Sequence, residues 1–197
     1  MARPREFDED EAVDAALTVF WEKGYAATSL SDLLPAMGLS KSSFYESFGS
    51  KQELFVRTID RFRGSDAPTP KSTSKAPKDA RASAIATIRS LLEMQTLRSQ
   101  RERELGGCYL GKCAIDSAAG DAVVTERVAA GMRSLTDKFA DVLSAGKSAG
   151  EIARHCDIRA SAELLTSVFY GLQVMANGGA SRATMGRVID EALAALK

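Results

Sequence analysis

The chain has 197 residues, 45% hydrophobic and 26% charged, and its 26 basic side chains are balanced by 26 acidic ones. That make-up is ordinary for a soluble globular protein of one or two domains. No apolar run approaches the ~20 residues that span a bilayer. The start, Met1-Ala2-Arg3-Pro4-Arg5, leads into acids without an apolar stretch, so no membrane partner is expected and the predicted address is cytoplasmic.

Helical periodicity dominates in chain order. Over residues 8–24, Val13, Ala16, Leu17 and Phe20 fall at i, i+3, i+4 and i+7, with Asp8 placed as N-cap and Gly24 as the stop. A short helix fits 29–37, ended by Gly38. Ser40 caps a third, 41–48, ended by Gly49. Ser50 with Glu53 opens a fourth, 50–63. Pro35 removes one backbone hydrogen bond from the second helix unless that helix starts late. Residues 64–78 hold three prolines among small polar residues and read as a linker. Five further helices are predicted: 79–98, 107–118, 121–145, 157–177 and 181–196. No hairpin signal or fixed-period repeat is present. The expected fold is all-α: a helix-turn-helix domain (1–50), a connecting helix (51–63), the linker, and a helical body (79–197).

The informative stretch is 28–55. Two short helices meet at Gly38-Leu39-Ser40, where a glycine can take positive φ and a serine can cap the second helix. Leu30, Leu33, Leu39 and Phe44 face inward. Lys41, Ser42, Ser43 and Tyr45 are left on the other face, where short polar side chains let a helix sink into a major groove. Charge argues for economy. Residues 1–63 carry eight basic and eleven acidic side chains, so DNA affinity is expected to rest on a few placed contacts.

The spacing Gly24-Tyr25-x-x-Thr28-Ser29-x-x-Asp32-Leu33, then Gly38-Leu39-Ser40-Lys41-x-x-Phe44-Tyr45-x-x-Phe48-x-x-Lys51-x-x-Leu54-Phe55, resembles the DNA-binding domain of the TetR family of transcriptional regulators. It runs over roughly 8–56 without a gap. The resemblance implies an Ω-shaped dimer of about nine helices per chain, with double-stranded operator DNA as partner and repression rather than activation as the outcome. By position it implies that Thr28, Tyr45 and Lys51 meet phosphates. It implies that Lys41, Ser42 and Ser43 meet bases or backbone, and that Arg3 and Arg5 form a minor-groove arm. Ser43 stands where glycine is common in the family, and Ser47 where histidine is common. Both bear on which bases are read.

A regulator of this kind couples a sensing site to the spacing of two recognition helices. The fourth helix is the expected lever. Leu92, Met94, Gln95, Tyr109, Cys113, Met132, Phe139, Tyr170 and Gln173 are candidate pocket residues, and their mix suits a moderately apolar small-molecule effector. For any one of them core packing is the plainer reading. The helix 157–177 is apolar on nearly all faces, so Leu164, Val168, Phe169, Leu172 and Met175, with Met185, Ile189 and Leu193, are expected to build a four-helix homodimer interface.

Three cysteines, one histidine and no Cys-x-x-Cys pair predict neither a disulfide framework nor a metal site, and no cofactor is expected. Cys108 and Cys113 lie about 140° apart on an ideal helix. Lys112, Arg101 and Arg103 nearby could activate a thiol, and small buried hydrophobes are the plainer reading. Cys156, beside His155, is expected in a solvated loop. Two alternatives to a ligand-released repressor follow: a thiol-based redox or electrophile sensor using Cys108 or Cys113, and a helical scaffold with a degenerate DNA-binding domain. An enzyme is not expected, since no nucleophile, base or metal cluster is visible.

Overall fold

The computed structural model describes residues 7–64, 83–95, 105, 107–116 and 121–196. Among these residues nine helices follow one another and no strand occurs. They are α1 (Glu9–Lys23), α2 (Leu30–Met37), α3 (Lys41–Phe48), α4 (Lys51–Gly64) and α5 (Ala84–Glu93), then α6 (Tyr109–Asp116), α7 (Ala122–Ser148), α8 (Ile158–Asn177) and α9 (Arg182–Ala194). The all-α architecture is therefore as the periodicity predicts. Arg3, Arg5, Arg101, Arg103 and linker residues 65–78 lie outside the described residues.

The helices begin where short polar side chains satisfy amides that have no partner within the helix. Asp8 accepts from the amides of Asp10 and Glu11 at 2.8 and 3.2 Å. Ser40, Ser83, Asp157 and Ser181 cap α3, α5, α8 and α9 in the same way. The Glu53 amide donates to Ser50 Oγ at 3.1 Å at the start of α4. Helix α2 does not start late: it opens at Leu30 with Pro35 inside it. Pro35 has no N–H for the Ser31 carbonyl, and both residues are exposed, so solvent can serve the acceptor instead.

Two compact units result. The first comprises α1–α4, α6 and α7 up to Gly131; the second comprises α5, the rest of α7, α8 and α9. This departs from the expected single body over 79–197, because residues 109–131 pack with the N-terminal helices. The cause is aromatic. The Tyr109 ring lies 5.7 Å from Trp21, 6.2 Å from Phe55 and 5.5 Å from Phe62, centroid to centroid. Its hydroxyl pairs with Thr58 Oγ1 at 2.7 Å. Phe20, Phe44, Phe48 and Phe55 complete an interior built largely of rings. Tilted and edge-on ring contacts of this kind add to the gain from area burial.

The second unit is filled differently. Ile88, Leu92, Leu143, Leu165, Leu172 and Ile189 form a mainly aliphatic core that includes one fully buried ring, Phe139, with Phe169 packed against it. Two neutral polar pairs are buried in the same unit: Thr136 Oγ1 with Thr166 Oγ1 at 2.9 Å, and Gln173 Nε2 donating to Gln95 Oε1 at 3.1 Å. Glu151 reaches back to the start of α5, accepting from the Ala84 amide at 2.8 Å and from Ser83 Oγ at 2.6 Å.

Candidate nucleic-acid interface

Helix α3 is oriented by its ends and by its inner face. Gly38 turns the chain with φ +65°, a left-handed conformation that side chains rarely adopt. Ser40 then accepts from the Ser43 amide at 3.2 Å, and its hydroxyl lies 2.9 Å from both Ser42 Oγ and Ser43 Oγ. Phe44 and Phe48 are buried, so the helix cannot roll without exposing two rings. The opposite face carries Lys41, Ser42, Tyr45 and Glu46, all exposed, with Ser43 half-buried at its edge. Tyr45 is 47% exposed, and its ring stands edge-on against Phe44 with centroids 5.4 Å apart. Packing against Phe44 therefore holds the Tyr45 ring on one side and leaves about half of the residue to solvent. Among the described residues, the side chains of Lys41 and Glu46 take part in no hydrogen bond or ion pair.

Two residues expected at phosphates are turned inward. Thr28 is 2% exposed, and its hydroxyl donates to the Gly24 carbonyl at 2.6 Å. It fixes the α1–α2 turn and does not present its side chain to a ligand. Lys51 donates to the carbonyls of Tyr25 and Thr28 at 3.0 and 2.8 Å and lies 4.4 Å from the centre of the Tyr25 ring. Its ammonium binds that turn to α4 from within the protein. A partly buried cation on two carbonyls and a ring is a strong tether.

Two further pins went unseen in the sequence. Lys112 of α6 donates to the Trp21 and Glu22 carbonyls at 2.7 and 2.9 Å, capping the C-terminal end of α1, where a cation is favoured. Asp32 Oδ2 accepts from the Ser29 amide at 2.8 Å, and Asp32 pairs with Lys23. The hydrogen bonds from Lys23 and Ser29 hold its carboxyl well below the usual carboxylate range. The acids at the start of α1 are matched as well. Arg61 of α4 forms a fork on Asp14 at 2.8 and 2.7 Å with Asp10 nearby, and Arg57 faces Glu9. Three acids of α1 are thus paired with arginines of α4.

The cysteines take different places. Cys113 is buried in the first unit and hydrogen-bonded to the Tyr109 hydroxyl; burial, followed by the charge on Cys113, pushes the Tyr109 phenol well up. Lys112 is directed onto α1, which removes the expected activating cation beside that thiol. Cys156 is buried, with Sγ 3.1 Å from Ser161 Oγ, and not in a solvated loop. Cys108 is half-buried near Tyr170, whose phenol is raised by burial and then by that thiol.

The candidate pocket residues do not form one group. Tyr109 and Cys113 belong to the interior of the first unit. In the second unit, Leu92 and Phe139 are core, Gln95 and Gln173 pair, and Met94, Met132 and Tyr170 are half-buried. The candidate interface residues also divide. Leu172, Met185, Ile189 and Leu193 are buried within the protomer and are not available to a partner. Leu164 is 47% exposed, and Val168, Phe169 and Met175 are half-buried. The i, i+4 spacing on α9 marked an apolar face correctly, but α5 and α8 of the same chain cover it. No helix among the described residues is long and apolar enough to cross a membrane.

Comparison with known proteins agrees with this geometry. Residues 12–58 match the family model of bacterial regulatory proteins of the TetR family, and residues 84–192 match that of the tetracyclin repressor-like C-terminal domain. The chain is 31% identical over 184 residues to the HTH-type transcriptional repressor ComR of Escherichia coli strain K12, covering 91% of this chain and 84% of ComR. A structure of the TetR family regulator CifR, as a cysteine mutant complexed with 26bp double-strand operator DNA, superposes with a TM-score of 0.77 at 26% identity over 100% of both chains. A TetR family regulator from Cytophaga hutchinsonii shares the fold with a TM-score of 0.80 at 20% identity, over 98% of this chain and 96% of its own. With both halves of the chain matched and the capped, outward-facing α3 in place, this protein belongs to the TetR family of helix-turn-helix transcriptional regulators and binds DNA.

Proposed function

We propose that the protein is a cytoplasmic repressor. A homodimer seats α3 of each protomer in the major groove of an operator, and a small, moderately apolar molecule bound in the second unit releases it. The observation that carries the DNA-binding part is the exposed face of α3. Lys41, Ser42 and Tyr45 point outward from a helix whose start is capped and whose other face is locked by Phe44 and Phe48. Ser43 lies at the edge of that face. Lys41 and Tyr45 supply the phosphate and base contacts, Ser42 and Ser43 line the approach, and Thr28 and Lys51 hold the frame. The operator-bound CifR structure and the repressor ComR support this reading.

For dimerisation, α8 offers Leu164 and Val174, 47% and 61% exposed, with half-buried Val168, Phe169 and Met175 beside them. Two copies joined there would present two recognition helices. Half-sites one helical turn of DNA apart tolerate little change in that spacing. Helix α6 is the coupling element beside α4, because Lys112 and Tyr109 fasten it to α1 and α4. For the effector, the buried Gln95–Gln173 pair marks where a polar group on an otherwise apolar molecule would compete for an amide.

The scaffold alternative drew its support from the acidic N-terminal segment; Glu9, Asp10 and Asp14 of that segment pair with Arg57 and Arg61 and so have a structural role within the protein. The thiol-sensing alternative narrows to Cys108, because Cys113 and Cys156 are buried. A gel shift with the DNA upstream of the protein's own gene tests the main reading. Loss of the shifted band in Lys41→Ala and Tyr45→Ala, with folding intact, is the expected result. Full binding by both variants would sink it. A thermal-shift screen with small aromatic compounds, run with and without a mild thiol oxidant, separates a ligand from a thiol trigger.

A further inference from the structure

Glu46 has no counterpart among the groups used so far. It lies one turn after Ser42 on the exposed face of α3, and among the described residues its side chain forms no hydrogen bond or ion pair. Lys41 is the only cation of α3. Five residues earlier, it sits about 140° around the helix and does not neutralise Glu46. The acids of α1 discussed above are directed onto arginines of α4, whereas this one is left bare on the face set toward a polyanion. Against phosphate oxygens it is repulsive. Against base edges it is selective.

Most of the major-groove edge repels a carboxylate. Guanine shows N7 and O6, thymine shows O4, and adenine shows N7, all of them acceptors. Only the cytosine N4 amine and the adenine N6 amine donate. Adenine places N7 beside its amine, where it opposes the second carboxylate oxygen. Cytosine has only a C–H there. A rise of 1.5 Å per residue puts Glu46 about 7.5 Å along the axis from Lys41, roughly two base-pair steps. Both residues can therefore address the same half-site.

We propose that Glu46 is a specificity-determining residue that accepts a hydrogen bond from the N4 amine of a cytosine in each half-site. This rests on α3 being the groove helix. The test is selection of bound duplexes from a random-sequence library by the full-length protein and by Glu46→Gln, Glu46→Ala and Lys41→Ala, each checked for native helicity. The wild-type motif is expected to require cytosine at one position per half-site. Glu46→Ala should lose about 10-fold or more of that preference, and Glu46→Gln should move it toward adenine, whose N6 and N7 suit an amide. A motif unchanged at every position in both Glu46 variants overturns the proposal, including the case where affinity rises evenly for all duplexes. If Lys41→Ala also leaves the motif unchanged, the groove reading of α3 falls with it. If Lys41→Ala alters the motif while the Glu46 variants do not, only the cytosine assignment fails.

Discussion

The two units of the chain solve the same packing problem with different materials. The first is joined through Phe20, Trp21, Phe44, Phe48, Phe55 and Tyr109, with long cations threaded onto backbone carbonyls at its edges. The second is filled mainly with leucine and isoleucine, with Phe139 the one fully buried ring of the cluster and neutral polar pairs in the same unit. Ring-to-ring contacts have preferred geometries and so fix angles between helices. Aliphatic cores tolerate exchange of shape at constant volume. The unit that must present a helix at one angle to DNA is built of the stiffer material. The unit assigned to sensing is built of the more forgiving one.

That contrast can be broken by substitution. The largest effect is expected from Phe44→Ala, which should cost about 3–5 kcal/mol and abolish operator binding, measured by urea unfolding and gel shift. Its counterpart in the second unit, Leu165→Met, should cost less than ~1.5 kcal/mol and leave DNA binding intact. Equal losses from the conservative pair Phe44→Leu and Leu165→Met would erase the distinction. Next comes Lys112→Met, which leaves the Trp21 and Glu22 carbonyls without their charged donor. A loss of about 1.5–3 kcal/mol is expected, partly restored by Lys112→Arg. Arg61→Ala removes an exposed fork and should cost no more than ~1 kcal/mol, with less effect at high salt.

The smallest effect is a pH dependence confined to the first unit. The folded protein holds Asp32 ionised more firmly than the unfolded chain does. Its contribution is therefore present above the ordinary aspartate value of about 3.9, and it is lost as pH falls from there toward the depressed folded value. Circular dichroism of Asp32→Asn should show lower stability than wild type at pH 7, with the two curves converging in strong acid. Parallel curves at all pH would show that Lys23 and Ser29 do not act through that carboxylate.

The fold was legible because its signals are local. Ser40, Asp8 and Ser50 announce helix starts within three residues of the amides they serve, and apolar spacing shows which face turns inward. The same local logic placed Lys41 and Tyr45 outside. What escaped notice is long-range. The carbonyls that receive Lys51 and Lys112 lie more than twenty and about ninety residues away in sequence, and a carbonyl has no side-chain identity to read. The inward turn of Thr28 escaped for a related reason, since a hydroxyl suits a phosphate and a neighbouring carbonyl equally well. On α9, periodicity identified a buried face but could not say whether its cover came from the same chain. Glu46 was visible as an acid on α3, and only its lack of a side-chain partner among the described residues made it informative.

The way this chain disposes of its cations reaches beyond the protein. Lys51 and Lys112 are engaged with backbone, and Arg57 and Arg61 with the acids of α1, so the proposed groove helix α3 carries Lys41 as its own single positive side chain. Adhesion to arbitrary sequence grows with the number of phosphates neutralised. A groove helix so sparingly charged adds little to adhesion on the bulk chromosome, and on the proposed reading occupancy of the operator should track the number of molecules per cell closely.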